Sequence, residues 1–136
     1  GEFEISTDPK RLDVNALYGF RTQSYWAKGR PREVIEKSLK HSLNFGLYKG
    51  SRQIGFARVV TDYATFAWLC DVHIENEFRR QGLGKWLTEA ILGHPDLQNL
   101  KRWLLVTRDA HGLYTRYGFK PLEEPARWMQ FRAGGK

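Results

Sequence analysis

Hydrophobic spacing along the chain changes period several times, and each change marks an element. Phe3 to Ser6 reads as a short strand, punctuated by Thr7-Asp8-Pro9. A helical stretch follows from about Asp13, with Val14, Leu17 and Tyr18 spaced for one face. Pro31 and Glu33 suit the first turn of a second helix, on which Val34, Ile35 and Leu39 make an apolar stripe ending near Ser42. From Phe45 the period becomes two. Phe45, Leu47 and Tyr48 precede the turn Lys49-Gly50-Ser51-Arg52, and Ile54, Phe56 and Ala57 to Val60 follow it, the pattern of an antiparallel hairpin. In the next strand, Tyr63 to Glu75, an apolar face of Phe66, Trp68, Cys70, Val72 and Ile74 alternates with a polar face of Asp71, His73 and Glu75. Leu83, Trp86, Leu87, Ala90 and Ile91 return to helical spacing, stopped by Gly93-His94-Pro95. Trp103 to Val106 reads as a buried strand, Ala110 to Tyr117 as a short helix closed by Gly118, and Trp128 to Phe131 as a final strand.

Helices interspersed through such a strand order predict an α+β (α/β three-layer) fold, a mixed sheet with helices on both faces. No repeat, low-complexity tract or linker other than the trailing Ala133 to Lys136 interrupts the 136 residues, so one domain, 1–136, is expected. With 41% hydrophobic against 27% charged residues, the chain can build a core without disulfides or a structural metal. The one cysteine, Cys70, excludes an internal disulfide framework and any cysteine-based zinc cluster, and its place between Trp68 and Val72 reads as inert core. His73 and His111 lack an identifiable third ligand, so no metal is expected. No apolar run has membrane-spanning length and the start lacks the order of a secretory signal, so a soluble, cytoplasmic protein without a membrane partner is expected.

Charge changes the picture. A balance of 22 basic to 15 acidic side chains, net +7, attracts nucleic acid, an acidic membrane surface or a polyphosphate cofactor alike. The basic residues are scattered as Lys10-Arg11, Lys28 to Arg32, Arg79-Arg80, Lys101-Arg102 and Arg108, without a contiguous tract, which ranks nucleic acid low. The segment Val72-His73-Ile74 to Lys85 is a strand, a tight basic turn and a helix start. Gly82 and Gly84 let a ligand approach backbone, the first helical amides and the helix dipole favour an anion, and Arg79, Arg80 and Lys85 reinforce it; a plain strand-to-helix turn is the alternative. A P-loop would need a glycine at Arg79 and Ser or Thr at Trp86, and a dinucleotide fingerprint would need a glycine at Leu87, so both fail.

Arg79-Arg80-Gln81-Gly82-Leu83-Gly84, directly after a strand, resembles the Arg/Gln-x-x-Gly-x-Gly/Ala motif of the GNAT superfamily of acyl-CoA-dependent N-acyltransferases. Downstream, Ala110 to Phe119 resembles the family's second motif, Ala-x-x-x-Tyr-x-x-x-Gly-Phe. The resemblance covers nearly the whole chain, with the N-terminal helices least diagnostic, and one departure: Thr107 stands where many members carry Asn before the second-motif helix. It implies a GNAT-like, mostly antiparallel sheet of six to seven strands, and acetyl-CoA as co-substrate without a metal. The turn Arg79, Arg80, Gln81, Gly82, Leu83, Gly84 and Lys85 would hold the CoA pyrophosphate, and the backbone edge of Val72, His73 and Ile74 would pair with pantetheine. The implied activity is direct transfer of an acetyl group to a primary amine of a small molecule or peptide, with a homodimer left open. A non-catalytic CoA-sensing or basic nucleic-acid-binding module is the alternative.

Acetyl transfer to an amine requires loss of the amine proton, stabilisation of an oxyanion and protonation of the departing thiolate. A phenol, with pKa about 10, can reprotonate a thiolate whose thiol pKa is about 8.5. Tyr114 matches the family tyrosine and is the expected acid; packing within its helix is the competing role, and Tyr117 reads as core. Asp71 lies in the apolar stretch Leu69-Cys70-Asp71-Val72 and is the candidate base or amine-binding residue, unless it merely satisfies backbone amides or an arginine such as Arg58. His73 could relay the proton and contact the substrate, or be an exposed strand histidine, while Asp109 and His111 could face the acceptor, Asp109 more readily capping its helix. Tyr25 and Trp26, between the first two helices, would wall the acceptor pocket or pack on the sheet, and in the former case Trp128 and Met129 would close it.

Overall fold

The computed structural model describes residues 2–20 and 31–133. The chain forms two compact units, Gly1–Val106 and Thr107–Lys136. The first contains β1 (Phe3–Ser6), α1 (Val14–Phe20), α2 (Arg32–Lys40), β2 (Leu43–Lys49), β3 (Arg52–Thr61), β4 (Phe66–Ile74), α3 (Leu83–Leu92) and β5 (Arg102–Leu105). The second holds α4 (His111–Thr115) and a 3-10 turn at Pro125–Arg127.

The sheet order is β1-β2-β3-β4-β5. The first three pairings are antiparallel; β4 and β5 are parallel, as a crossover carrying α3 between them permits. Gly50, at φ +61°, turns the chain between β2 and β3. The turn into β4 is made by Asp62, whose carboxylate accepts from the amides of Ala64, Thr65 and Phe66 and from the Thr65 hydroxyl. These bonds occupy Tyr63 to Thr65 in the turn, so β4 starts at Phe66 rather than at Tyr63.

Within this first unit the helices lie on both faces of the sheet. Leu17 of α1 packs on Phe56 with Leu39 of α2 alongside, whereas Leu83 of α3 packs on Leu47 and Ile54. One register shift separates β4 from simple alternation. Arg58 pairs with Cys70 and Phe56 with His73, so one β3 residue faces two on β4, Asp71 and Val72, and Asp71 takes φ +55°. Directly paired residues share a face, so Cys70 and His73 lie together on the α1/α2 face, while Ile74 joins the cluster under α3. The continuous apolar face expected from Phe66 to Ile74 is therefore split between the two sides. Asp71 and His73 are buried, Trp68 is exposed and Cys70 is partly exposed.

Among the described residues the sheet has five strands, not six to seven. Trp128 to Phe131 forms no strand: it follows a 3-10 turn whose bonds take the Arg127 and Trp128 amides, and Met129 and Phe131 are each 94% exposed. Four residues, three of them apolar, do not make a strand without a ladder to join.

Candidate functional site

The second half of β4 and the turn into α3 bring the expected features together within the first unit. The β4–β5 ladder runs from Phe66 opposite Arg102 to Leu69 opposite Leu105, whereas β4 continues to Ile74. Val72 to Ile74 thus extend beyond the last β5 partner, and the Asp71 bulge lies where the two strands part company. A bulge bends a strand and increases its twist, which separates neighbours that were paired before it.

After β4, a 3-10 turn at Asn76–Phe78 leads into the basic segment. Arg79 folds back: its Nε donates to the Ile74 carbonyl at 2.8 Å and its Nη1 to Asn76 Oδ1 at 3.3 Å. Arg80, at φ +66°, Gln81 and Lys85 are exposed, whereas the Leu83 side chain is buried under the sheet. Gly82 precedes α3 at φ +80° without a side-chain cap, and a Cβ built there meets no atom within 4 Å. The first α3 ladder bond runs from the Trp86 amide to the Gly82 carbonyl at 3.1 Å. The helix start therefore presents main-chain donors and its positive dipole end to open space beside cationic side chains, which is what an anionic group requires.

Asp71 is held by an arginine. Arg58 Nε donates to Asp71 Oδ2 at 2.6 Å, with the two side chains 14% and 5% exposed, and Arg58 Nη1 donates to Ser42 Oγ at 3.0 Å. The arginine partner considered from sequence is thus present. His73 is 3% exposed, not an exposed strand histidine; burial, and secondarily the Arg79 charge, pushes its pKa down to about 4, so it is neutral at pH 7.

In the second unit Tyr114 is buried on α4, with its ring edge-on to Phe119 at 5.8 Å between centroids. The Phe119 amide donates to the Tyr114 carbonyl at 3.3 Å, and Gly118, at φ +96°, makes the bend. Local closure of the helix accounts for the Tyr-x-x-x-Gly-Phe spacing. Ahead of α4 the Thr107 hydroxyl, not Asp109, accepts from the Ala110 amide, at 3.0 Å. Tyr25 and Trp26 lie outside the described residues. Sequence reasoning passed over Ser42 and Asn44, whose short polar side chains carry no recognisable spacing signal.

The family model for the acetyltransferase (GNAT) domain matches residues 40–121. The chain belongs to the GNAT acetyltransferase family. A Gibberella zeae protein provisionally named an acetyltransferase is 31% identical, over 91% of this chain and 82% of that protein. A GNAT-family protein from Xanthomonas campestris pv. campestris, also provisionally an acetyltransferase, is 43% identical, with a TM-score of 0.93 over 99% of this chain and 96% of that one. A Clostridium acetobutylicum predicted acetyltransferase, solved with acetyl-CoA, shares the fold at a TM-score of 0.68 with 13% identity, over 96% of this chain and 94% of that one. This GNAT chain is an acyltransferase, and the family uses acetyl-CoA; a non-catalytic module is not favoured. Among the described residues no helix is long and apolar enough to cross a membrane.

Proposed function

We propose that the protein transfers an acetyl group from acetyl-CoA directly to a primary amine, on a small molecule or a peptide, within a ternary complex. One observation carries this reading: the β4–β5 ladder ends at Leu69, β4 continues to Ile74, and the same strand leads into an uncapped helix start at Gly82. An acyl-CoA has the complementary form, an extended chain of amides ending in a pyrophosphate. In this proposal pantetheine adds as a short strand along Val72 to Ile74 and the pyrophosphate takes the amides of Gly82 to Lys85, with Arg79, Arg80 and Gln81 flanking it.

Tyr114 protonates the thiolate of the departing CoA. Asp71, whose charge Arg58 already shares, orients the incoming ammonium or receives its proton, and His73, neutral near pH 7, adds no competing positive charge. Tyr25 and Trp26 contribute aromatic surface to the amine's stem. The test is a panel of amines, amino acids, polyamines and lysine peptides, scored for free CoA thiol and for acetylated product in equal amounts. Turnover of at least one primary amine is expected; CoA release without acetylated amine across the panel contradicts the proposal.

A further inference from the structure

A left-handed backbone is uncommon at a residue other than glycine, although aspartate adopts it more readily than most, and in a buried strand it needs support from its surroundings. Asp71, at φ +55°, is such a residue, and it sits inside the bulge from which Val72 to Ile74 continue. A glycine would take that conformation freely, but it would give up the carboxylate that Arg58 holds at 2.6 Å. Arg58 is itself fixed on a second side. Its Nη1 donates to Ser42 Oγ, and that hydroxyl donates to the Ser38 carbonyl at 2.7 Å in the last turn of α2. Asn44, opposite Arg58 in the β2–β3 ladder, donates through Nδ2 to the Leu39 carbonyl at 2.8 Å. One guanidinium thereby joins the bulge of β4 to Ser42 at the end of α2, and Asn44 separately ties the start of β2 to the same helix end.

We propose that Arg58 is a positioning residue for the acyl group: by holding the Asp71 carboxylate it fixes the left-handed bulge, and the bulge sets where the Val72 to Ile74 main chain points. The inference rests on the reading of that stretch as the pantetheine edge. Its planar fork serves Asp71 through Nε and Ser42 through Nη1 together, a geometry that a lysine ammonium cannot reproduce. An edge that drifts loses about one or two hydrogen bonds to pantetheine, a drop of about tenfold in affinity. The nucleotide half of CoA, held at the helix start, is untouched by this drift.

The experiment is calorimetric titration of parent, R58M and R58K with acetyl-CoA and, separately, with 3′-phospho-ADP, alongside amide hydrogen exchange at Val72 to Ile74. Expected are a loss of about tenfold for acetyl-CoA in R58M, a smaller loss in R58K, 3′-phospho-ADP affinity within about twofold of the parent, and faster exchange at the three amides. Unchanged acetyl-CoA affinity in folded R58M overturns the inference, as does an equal loss of both ligands. Should R58M not fold, R58K decides alone: a loss confined to acetyl-CoA supports the role, and none refutes it. A parent that binds neither ligand refutes the CoA site itself, and the positioning role with it.

Discussion

Gly82 offers a test in which backbone strain and ligand approach can be separated. Replacing it with alanine places a Cβ in a left-handed backbone at φ +80°, with no atom within 4 Å of the new methyl. The unliganded cost is conformational, about 1–2 kcal/mol, or a fall of about 3–10 °C in Tm for a domain of this size. Gly50 is the matched control, at φ +61° in the β2–β3 turn and also with open space around a Cβ. The two variants should lose similar stability and differ in acetyl-CoA binding. At Gly82 the methyl would occupy space through which phosphate approaches the helix-start amides, and one charge-assisted hydrogen bond is worth about 1.5–3 kcal/mol, roughly 10- to 150-fold in affinity. Calorimetric titration of both proteins, with Tm measured in parallel, reads the two effects separately. If Gly82→Ala binds acetyl-CoA as tightly as Gly50→Ala, the pyrophosphate does not lie on this turn.

Three further outcomes follow from the same geometry. Tyr114→Phe retains the ring against Phe119 and removes the proton donor, so kcat on the best amine should fall by about 10- to 1,000-fold with acetyl-CoA affinity unchanged; equal turnover, with chemistry rate-limiting, removes Tyr114 from the mechanism. Asp71→Asn keeps an oxygen for Arg58 Nε but removes the charge, so amine use should weaken and recover partly as pH rises; a large stability loss with intact per-molecule activity would leave Asp71 a purely structural role. His73, with its folded pKa pushed down to about 4, stays neutral while the unfolded chain takes up a proton, so its contribution to stability is present above about pH 6.5 and is lost as pH falls toward 4, by up to about 3 kcal/mol. Urea unfolding between pH 7 and 4 should show a shallower pH dependence for His73→Phe than for the parent, and identical slopes would contradict the assigned burial effect.

Elements set by local spacing were readable in the chain. The hairpin around Gly50 has its turn and flanking period-two runs together, and the glycine turn before Leu83 announces its helix by the change to helical spacing. The bulge was not readable, because an aspartate in left-handed conformation leaves the apolar alternation of Phe66 to Ile74 intact as a string while exchanging which face its second half occupies. That one residue misplaced His73, which shares a face with Phe56. Arg58 could be named as a partner for Asp71 since a buried carboxylate needs one, but its second bond to Ser42 depends on how α2 meets β2. Trp128 to Phe131 failed for a different reason: its apolar character is genuine, yet strand formation depends on a ladder that no local pattern reports.

Amide hydrogen exchange of the parent with and without saturating acetyl-CoA addresses the central claim most directly. Protection should rise at Val72 to Ile74, where pantetheine would pair with the strand, and at Gly82 to Lys85, where the pyrophosphate would take the helix-start amides, with CoA alone reproducing both patterns. Protection elsewhere in the chain with these two segments unchanged would contradict the account.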